Sequence, residues 1–407
     1  MKEFERQGDK ENSKFFEDHL QKIYERREKS GIDDLVEYIN AVVIQVEHEE
    51  ALKYLMELYL MTPYRFHKGY ISETHKIYIL KNHDKAPYYI VLEPLEKNYH
   101  DNYTSVSEIY PRGSEKSKVK YIGEIYKTKN SKELQTILES QQFRFQSEIK
   151  NQFLANENFL VSDISYYTNN SFIYCDLENF DELNFKETFE LNDEEKNNLD
   201  KANEVHVKYG LDKLIFGIDH LASRVLCGSR EDAILEFLSM TNYYFWGAFN
   251  IEQMNSSTNV NRNPKVDTEI RSPAKVFTAN NVPYYVNSIE DKASPTEDFV
   301  RNFGKRMHHI AYAVEDGARE DGTKNIDYVV GKLMSENIPF LAKIIGECKD
   351  FPDLKQIFSK TSEYSFLITE YVQRCKGFKG FFTKANVAYL TQAAGEDEKL
   401  RKSGVYD

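Results

Sequence analysis

Apolar residues in this chain fall into short runs, separated by amphipathic stretches of helical period, and the order of the two recurs. Residues 38–44 read as a buried strand and 49–60 as a helix with one apolar face. Strands are expected next at 64–71, 75–80 and 88–92. The order returns with a strand at 121–126, a helix at 131–142 and strands near 159–167 and 171–175. Ser131 is the expected cap of that helix. A third unit opens at 214–225, and Ser229 can cap a helix through Ala233, Leu235 and Phe237. Strands follow at 243–246, 274–278 and 283–286. The fourth has a strand at 307–314, a helix at 324–336, and strands near 341–345, 354–358 and 365–374. A final helix is expected over 382–400.

A strand, a helix and two or three further strands, four times over, predict an α+β fold of four βαβββ modules. Each such sheet is half a cup, so four modules suggest two pseudo-symmetric halves. Residues 1–33 read as a charged helical extension, best taken as solvated, 34–192 as the first half and 193–407 as the second. The polar run 192–198 suits a linker between them.

Composition narrows the function. Charged residues make up 29% and apolar ones 41% of 407 residues, which is globular rather than disordered. A net charge of −13 argues against a nucleic-acid or anionic-membrane partner. No apolar run approaches the ~20 residues of a membrane span, and the first residues lack a leader's apolar core. Four scattered cysteines, with no CxxC, predict neither a disulfide framework nor a thiolate metal site, so a reducing cytoplasmic setting is expected. Self-association into a homo-oligomer stays open.

Candidate chemistry lies in the second half. Ile218-Asp219-His220-Leu221-Ala222 and Met307-His308-His309-Ile310-Ala311 open the third and fourth modules alike. Glu370 lies in a later apolar run. A carboxylate among aliphatic neighbours is costly unless it is paired or bound to a cation. Two imidazoles and a carboxylate on separate strands form the facial triad of non-haem iron sites. A lone strand histidine is more often a satisfied core group, and ten histidines offer many combinations; the repeat is what selects His220, His309 and Glu370. Strand alternation puts His309 with Met307 and Ala311 and turns His308 to the other face. The first half carries Val42 and Ile125 on its opening strands and reads as structural.

These residues resemble the 4-hydroxyphenylpyruvate dioxygenase family of the vicinal-oxygen-chelate (glyoxalase-like) superfamily, over about residues 36–395. Glu370-x-x-Gln373-Arg374 is similar to the family segment bearing the carboxylate ligand, and Gln356-Ile357-Phe358-Ser359-Lys360 to its Gln-Ile-Phe-Thr-Lys strand. Arg271-Ser272 with Asn287 resembles the family's pocket-lining Ser and Asn, and 377–386 its gate. The resemblance implies Fe(II) on His220, His309 and Glu370, with Ser272, Asn287 and Gln356 orienting an aryl 2-oxo acid that reacts with dioxygen. Decarboxylation would be coupled to hydroxylation, giving a homogentisate-type product. The sequence departs from the family at His308, where a Gln is usual, at Asn287-Ser288-Ile289, at Pro295-Thr296-Glu297 and in a shorter stretch before Gln356. Two other functions fit the same fold. An extradiol catechol dioxygenase is disfavoured by Val-Gln-Arg after Tyr371; a metal-free ligand-binding protein is disfavoured by retention of three ligands.

Overall fold

A computed structural model describes the chain except residues 1–6, 9–13, 84, 108–115, 117, 266–271, 284, 287–288, 290–292, 342, 350 and 396–407. Among the described residues two eight-stranded mixed sheets form the frame. After a short β1 (Gln7–Gly8), the first half contributes β2 (Val36–Gln45), β3 (Arg65–Ile71), β4 (His75–Lys81), β5 (Tyr88–Pro94), β6 (Lys120–Thr128), β7 (Phe159–Val161), β8 (Ser171–Cys175) and β9 (Glu187–Phe189). Their spatial order is β7-β8-β6-β2-β5-β4-β3-β9. The second half contributes β10 (Ile215–Arg224), β11 (Tyr244–Ile251), β12 (Ser256–Arg262), β13 (Ala274–Asn280), β14 (Arg306–Val314), β15 (Asp353–Phe358) and β16 (Ile368–Cys375). Their order, β1-β11-β12-β13-β10-β14-β16-β15, repeats the first plan. Two pseudo-symmetric sheets built from βαβββ-like units give the α+β fold that the periodicity predicts.

The repeat extends to single hydrogen bonds. Tyr64 and Tyr243 each donate to a proline carbonyl, that of Pro87 and that of Pro273. Tyr174 donates to the Met240 carbonyl and Tyr371 to that of Met61, so each half reaches the end of the other's helix. One core takes side chains from both sheets and from the helices Ala51–Met61, Ser131–Ser140, Arg230–Met240 and Asn325–Ser335. The buried pair Lys275–Glu124 crosses it, with Tyr121 donating to the same carboxylate at 3.0 Å.

Several expectations change. The N-terminal helix Glu17–Ser30 is not a solvated extension: Phe16, Leu20 and Ile23, spaced at helical period, are buried, and Arg27 donates to the Leu238 carbonyl at 3.0 Å. The run 192–198 starts the helix Asp193–Lys208, through a capping box between Asn192 and Glu195. Asn130 rather than Ser131 caps the Ser131–Ser140 helix, and Ser229 takes the cap position without a side-chain bond. Residues 341–345 make a single bridge, and Tyr285 and Val286 are helical. Cys348 and Cys375 form a disulfide with Cα atoms 5.6 Å apart, so the cysteines are not all free thiols. No helix among the described residues is long and apolar enough to cross a membrane.

Candidate metal centre

Three central strands bring the candidate ligands together. β10 pairs antiparallel with β14, which pairs parallel with β16. Register sets His220 opposite Ala311, and Ala311 opposite Glu370, while His309 lies one row away, opposite Ala222. The ligand atoms of His220, His309 and Glu370 lie within 4.8 Å of one another. His220 Nε2 is 3.0 Å and His309 Nε2 3.2 Å from Glu370 Oε2, and the two nitrogens are 3.3 Å apart. Two neutral-nitrogen donors and one carboxylate converging on one point fit a divalent cation of intermediate softness.

A bulge decides which histidines face this point. Between Ala222–His309 and Ser223–Met307, β14 carries one extra residue, His308. Simple alternation therefore fails here. Met307 joins the core between the sheets, and His308 and His309 both line the cavity.

Each ligand is held from behind. Asp219 Oδ1 accepts from His220 Nδ1 at 2.7 Å, and Arg374 grips both Asp219 oxygens. Gln356 donates to Glu370 Oε1 at 2.6 Å; Asn386, on the helix Lys384–Gly395, donates to Gln356 at 3.0 Å. His308 Nδ1 and His309 Nδ1 are 2.7 Å apart and share one proton. For His309 Nε2 to ligate, that proton sits on His309, and His308 carries its own on Nε2, which is buried without a partner.

Electrostatics agree with this geometry. Burial, reinforced by His220 and Arg224, holds His309 well below its usual range, in the neutral form a metal needs. Burial opposes charge on His220, but Glu370 and Asp219 outweigh it and raise that imidazole to about 9. Burial would raise Asp219, yet Arg374 and His220 hold it well below the carboxylate range. What a metal would displace at His220 is thus a proton.

The fold is of the vicinal-oxygen-chelate, glyoxalase-like α+β type. It is similar to a triple mutant of 4-hydroxymandelate synthase from Streptomyces coelicolor, with TM-score 0.60, 11% identity and coverage of 89% of this chain and 99% of that one. It is also similar to a xylose isomerase-like TIM barrel/4-hydroxyphenylpyruvate dioxygenase fusion protein, with TM-score 0.54 and 12% identity. The match covers 89% of this chain and 52% of the fusion, so this chain spans about half of that protein. No protein-family model and no curated protein matches the sequence.

The remaining predicted site residues separate. Gln356 lines the cavity, but its amide nitrogen is committed to Glu370. Ser272 lies two residues before Ala274, the strand partner of His220, with its hydroxyl buried and unpartnered. Asn287 is outside the described residues. Sequence reasoning missed Asp219, Asn386 and the pairing of His308 with His309. An acid beside His220 and a base four residues after Glu370, both in apolar runs, were the available signal for Asp219 and Arg374.

Val42 and Ile125 lie on the matching opening strands, and register refines the positions: His220, His309 and Glu370 correspond to Ala41, Gly123 and Ile173. Ala41 and Ile173 belong to an apolar cluster that fills that cup, and a Cβ on Gly123 would lie 2.0 Å from the Ser171 carbonyl oxygen.

Proposed function

We propose that this protein is an Fe(II)-dependent dioxygenase that couples oxidative decarboxylation of an aryl 2-oxo acid to its hydroxylation. The observation that carries the reading is the convergence of His220, His309 and Glu370 at a cavity whose lining includes Phe358 and Phe382. Bound Fe(II) would supply adjacent open positions for the 2-oxo acid and dioxygen. The chain's own groups do the rest. Asp219 fixes the His220 ring, and Gln356 fixes Glu370, so the donor set is preorganised. Phe381 and Phe382, with ring centroids 5.8 and 5.1 Å from that of His220, cover the triad and exclude water. The unpartnered Ser272 hydroxyl is free to meet a polar group of the substrate, with Asn287 as its proposed companion.

The product would hold both oxygen atoms, one in the carboxylate left by CO2 loss and one as the new hydroxyl. Anaerobic addition of aryl and alkyl 2-oxo acids to the Fe(II) protein should give the charge-transfer band of a chelated oxo acid. Dioxygen should then release CO2 without added 2-oxoglutarate. No CO2 from any 2-oxo acid, with iron bound, rejects the reading.

A further inference from the structure

Register arranges the second sheet in rows. Ala274, His220, Ala311 and Glu370 form one, and Val260, Val276, Ala222 and His309 the next. The third is Thr258, Thr278, Arg224 and Arg306. His220, Ala222 and Arg224 alternate on one face, so Arg224 starts about 13 Å along the strand from His220. Arg224, Thr258 and Thr278 line the same cavity as His309 and Glu370, with apolar Ala222 and Val276 between.

Arg224 is 4% exposed and has no carboxylate within ion-pair distance among the described residues. Among the described residues its one hydrogen bond is a 3.5 Å contact to the Pro295 carbonyl, and its guanidinium carbon lies 5.0 Å from the Phe299 ring centroid. Asp298, the acid whose field reaches it, accepts from Ser294 through both oxygens. Its neighbour in the row, Arg306, has Nε and Nη2 buried without partners, which leaves the row a surplus of positive charge. A buried cation without a counter-charge is costly.

The fold does not demand this cation. The equivalent residue of the first half is Gln45, whose amide donates to the Lys118 carbonyl at 2.9 Å and meets His75 Nε2 at 3.0 Å. Thr258 and Thr278, hydroxyls 3.3 Å apart, complete the row beside Arg224.

The geometry points to an anion subsite: Arg224, with the Thr258 and Thr278 hydroxyls, receives an anionic group at the far end of the substrate, across an apolar row that holds its ring. The substrate class is then an aryl 2-oxo acid with a second, distal anionic group such as a carboxylate or a phosphate. This rests on the proposed function in placing the 2-oxo acid at the triad.

The test compares phenylpyruvate with 4-carboxyphenylpyruvate on the anaerobic Fe(II) protein, read by the charge-transfer band. It also follows 4-ethylbenzoate, which has the ring and the anion but no 2-oxo acid, by calorimetry. Wild type should favour 4-carboxyphenylpyruvate about 10- to 100-fold, as a charge-assisted hydrogen bond to a buried group gives. Arg224→Gln, which installs the first half's residue, should bring that ratio near one and abolish 4-ethylbenzoate binding. Arg224→Lys should keep part of both. Equal affinity for the two oxo acids in wild type, or 4-ethylbenzoate binding indifferent to Arg224, overturns the subsite. Should Arg224→Gln fail to fold, the wild-type ratio and Arg224→Lys decide alone. If neither oxo acid gives a band while 4-ethylbenzoate binds through Arg224, the dioxygenase reading falls and the subsite stands.

Discussion

Arg374 clasps both carboxylate oxygens of Asp219, although 155 residues separate them, and Asp219 passes that constraint to His220 Nδ1. Groups behind a ligand set its tautomer and aim. Asp219→Asn should therefore lower metal affinity about 10- to 100-fold while the protein stays folded. Competitive titration with a chelating indicator measures the first effect and far-ultraviolet dichroism the second. Unchanged affinity would show that His220 is positioned by packing alone.

His220→Ala, His309→Ala and Glu370→Ala should each lose bound metal and all turnover. His308→Ala should keep the metal, because His308 bonds to the triad through the far nitrogen of His309. Metal analysis of the four purified variants tests this. Stoichiometric metal in His309→Ala, with loss in His308→Ala, would exchange their roles across the bulge.

The Lys275–Glu124 pair is 2–3% exposed on both sides, so removal of one partner strands a buried charge. Lys275→Met should destabilise the fold by about 3–5 kcal/mol, and Lys275→Met with Glu124→Leu should recover most of that loss. Denaturant midpoints of the three proteins provide the comparison. An equally weak double variant would mean that the loss comes from packing.

Burial lowers His75 to about 3 and His206 to about 4, whereas the unfolded chain protonates histidine near pH 6.5. The unfolded state then binds more protons than the folded state below pH 6.5, so stability is full above that value and declines as pH falls toward 4. His206 uses Nδ1 on the Leu60 carbonyl and leaves Nε2 unpaired. Melting curves of wild type and His206→Asn between pH 7.5 and 4.5 should converge as pH falls. A constant gap would remove His206 from the acid response.

The strands that carry the site were readable because Ile218, Leu221, Ile310 and Val372 give them strong apolar runs. β12 was not, since Ser256, Ser257, Thr258, Asn259 and Asn261 hide a buried strand behind polar side chains, of which Asn259 and Asn261 bond to backbone carbonyls. The helix Asp193–Lys208 escaped for a related reason: it buries little beyond Leu199 and His206, so no apolar stripe announces it. The three ligands could be selected from the repeat, but not the bulge at His308, which depends on pairing between strands. The Cys348–Cys375 pairing and the contact from Asn386 to Gln356 are likewise products of tertiary approach, without a local signal.

Gly123 gives the duplicated architecture a direction. Converting the first half into a second metal centre would take more than His at Ala41 and Glu at Ile173. The third ligand would have to grow from a backbone that already touches its neighbour, because any side chain there would collide with the Ser171 carbonyl oxygen. β6 and β8 would have to separate before the first imidazole atom could be placed. The asymmetry between the halves works as a ratchet: single substitutions can erase the second half's site, and no set of three at the matching positions can rebuild it in the first.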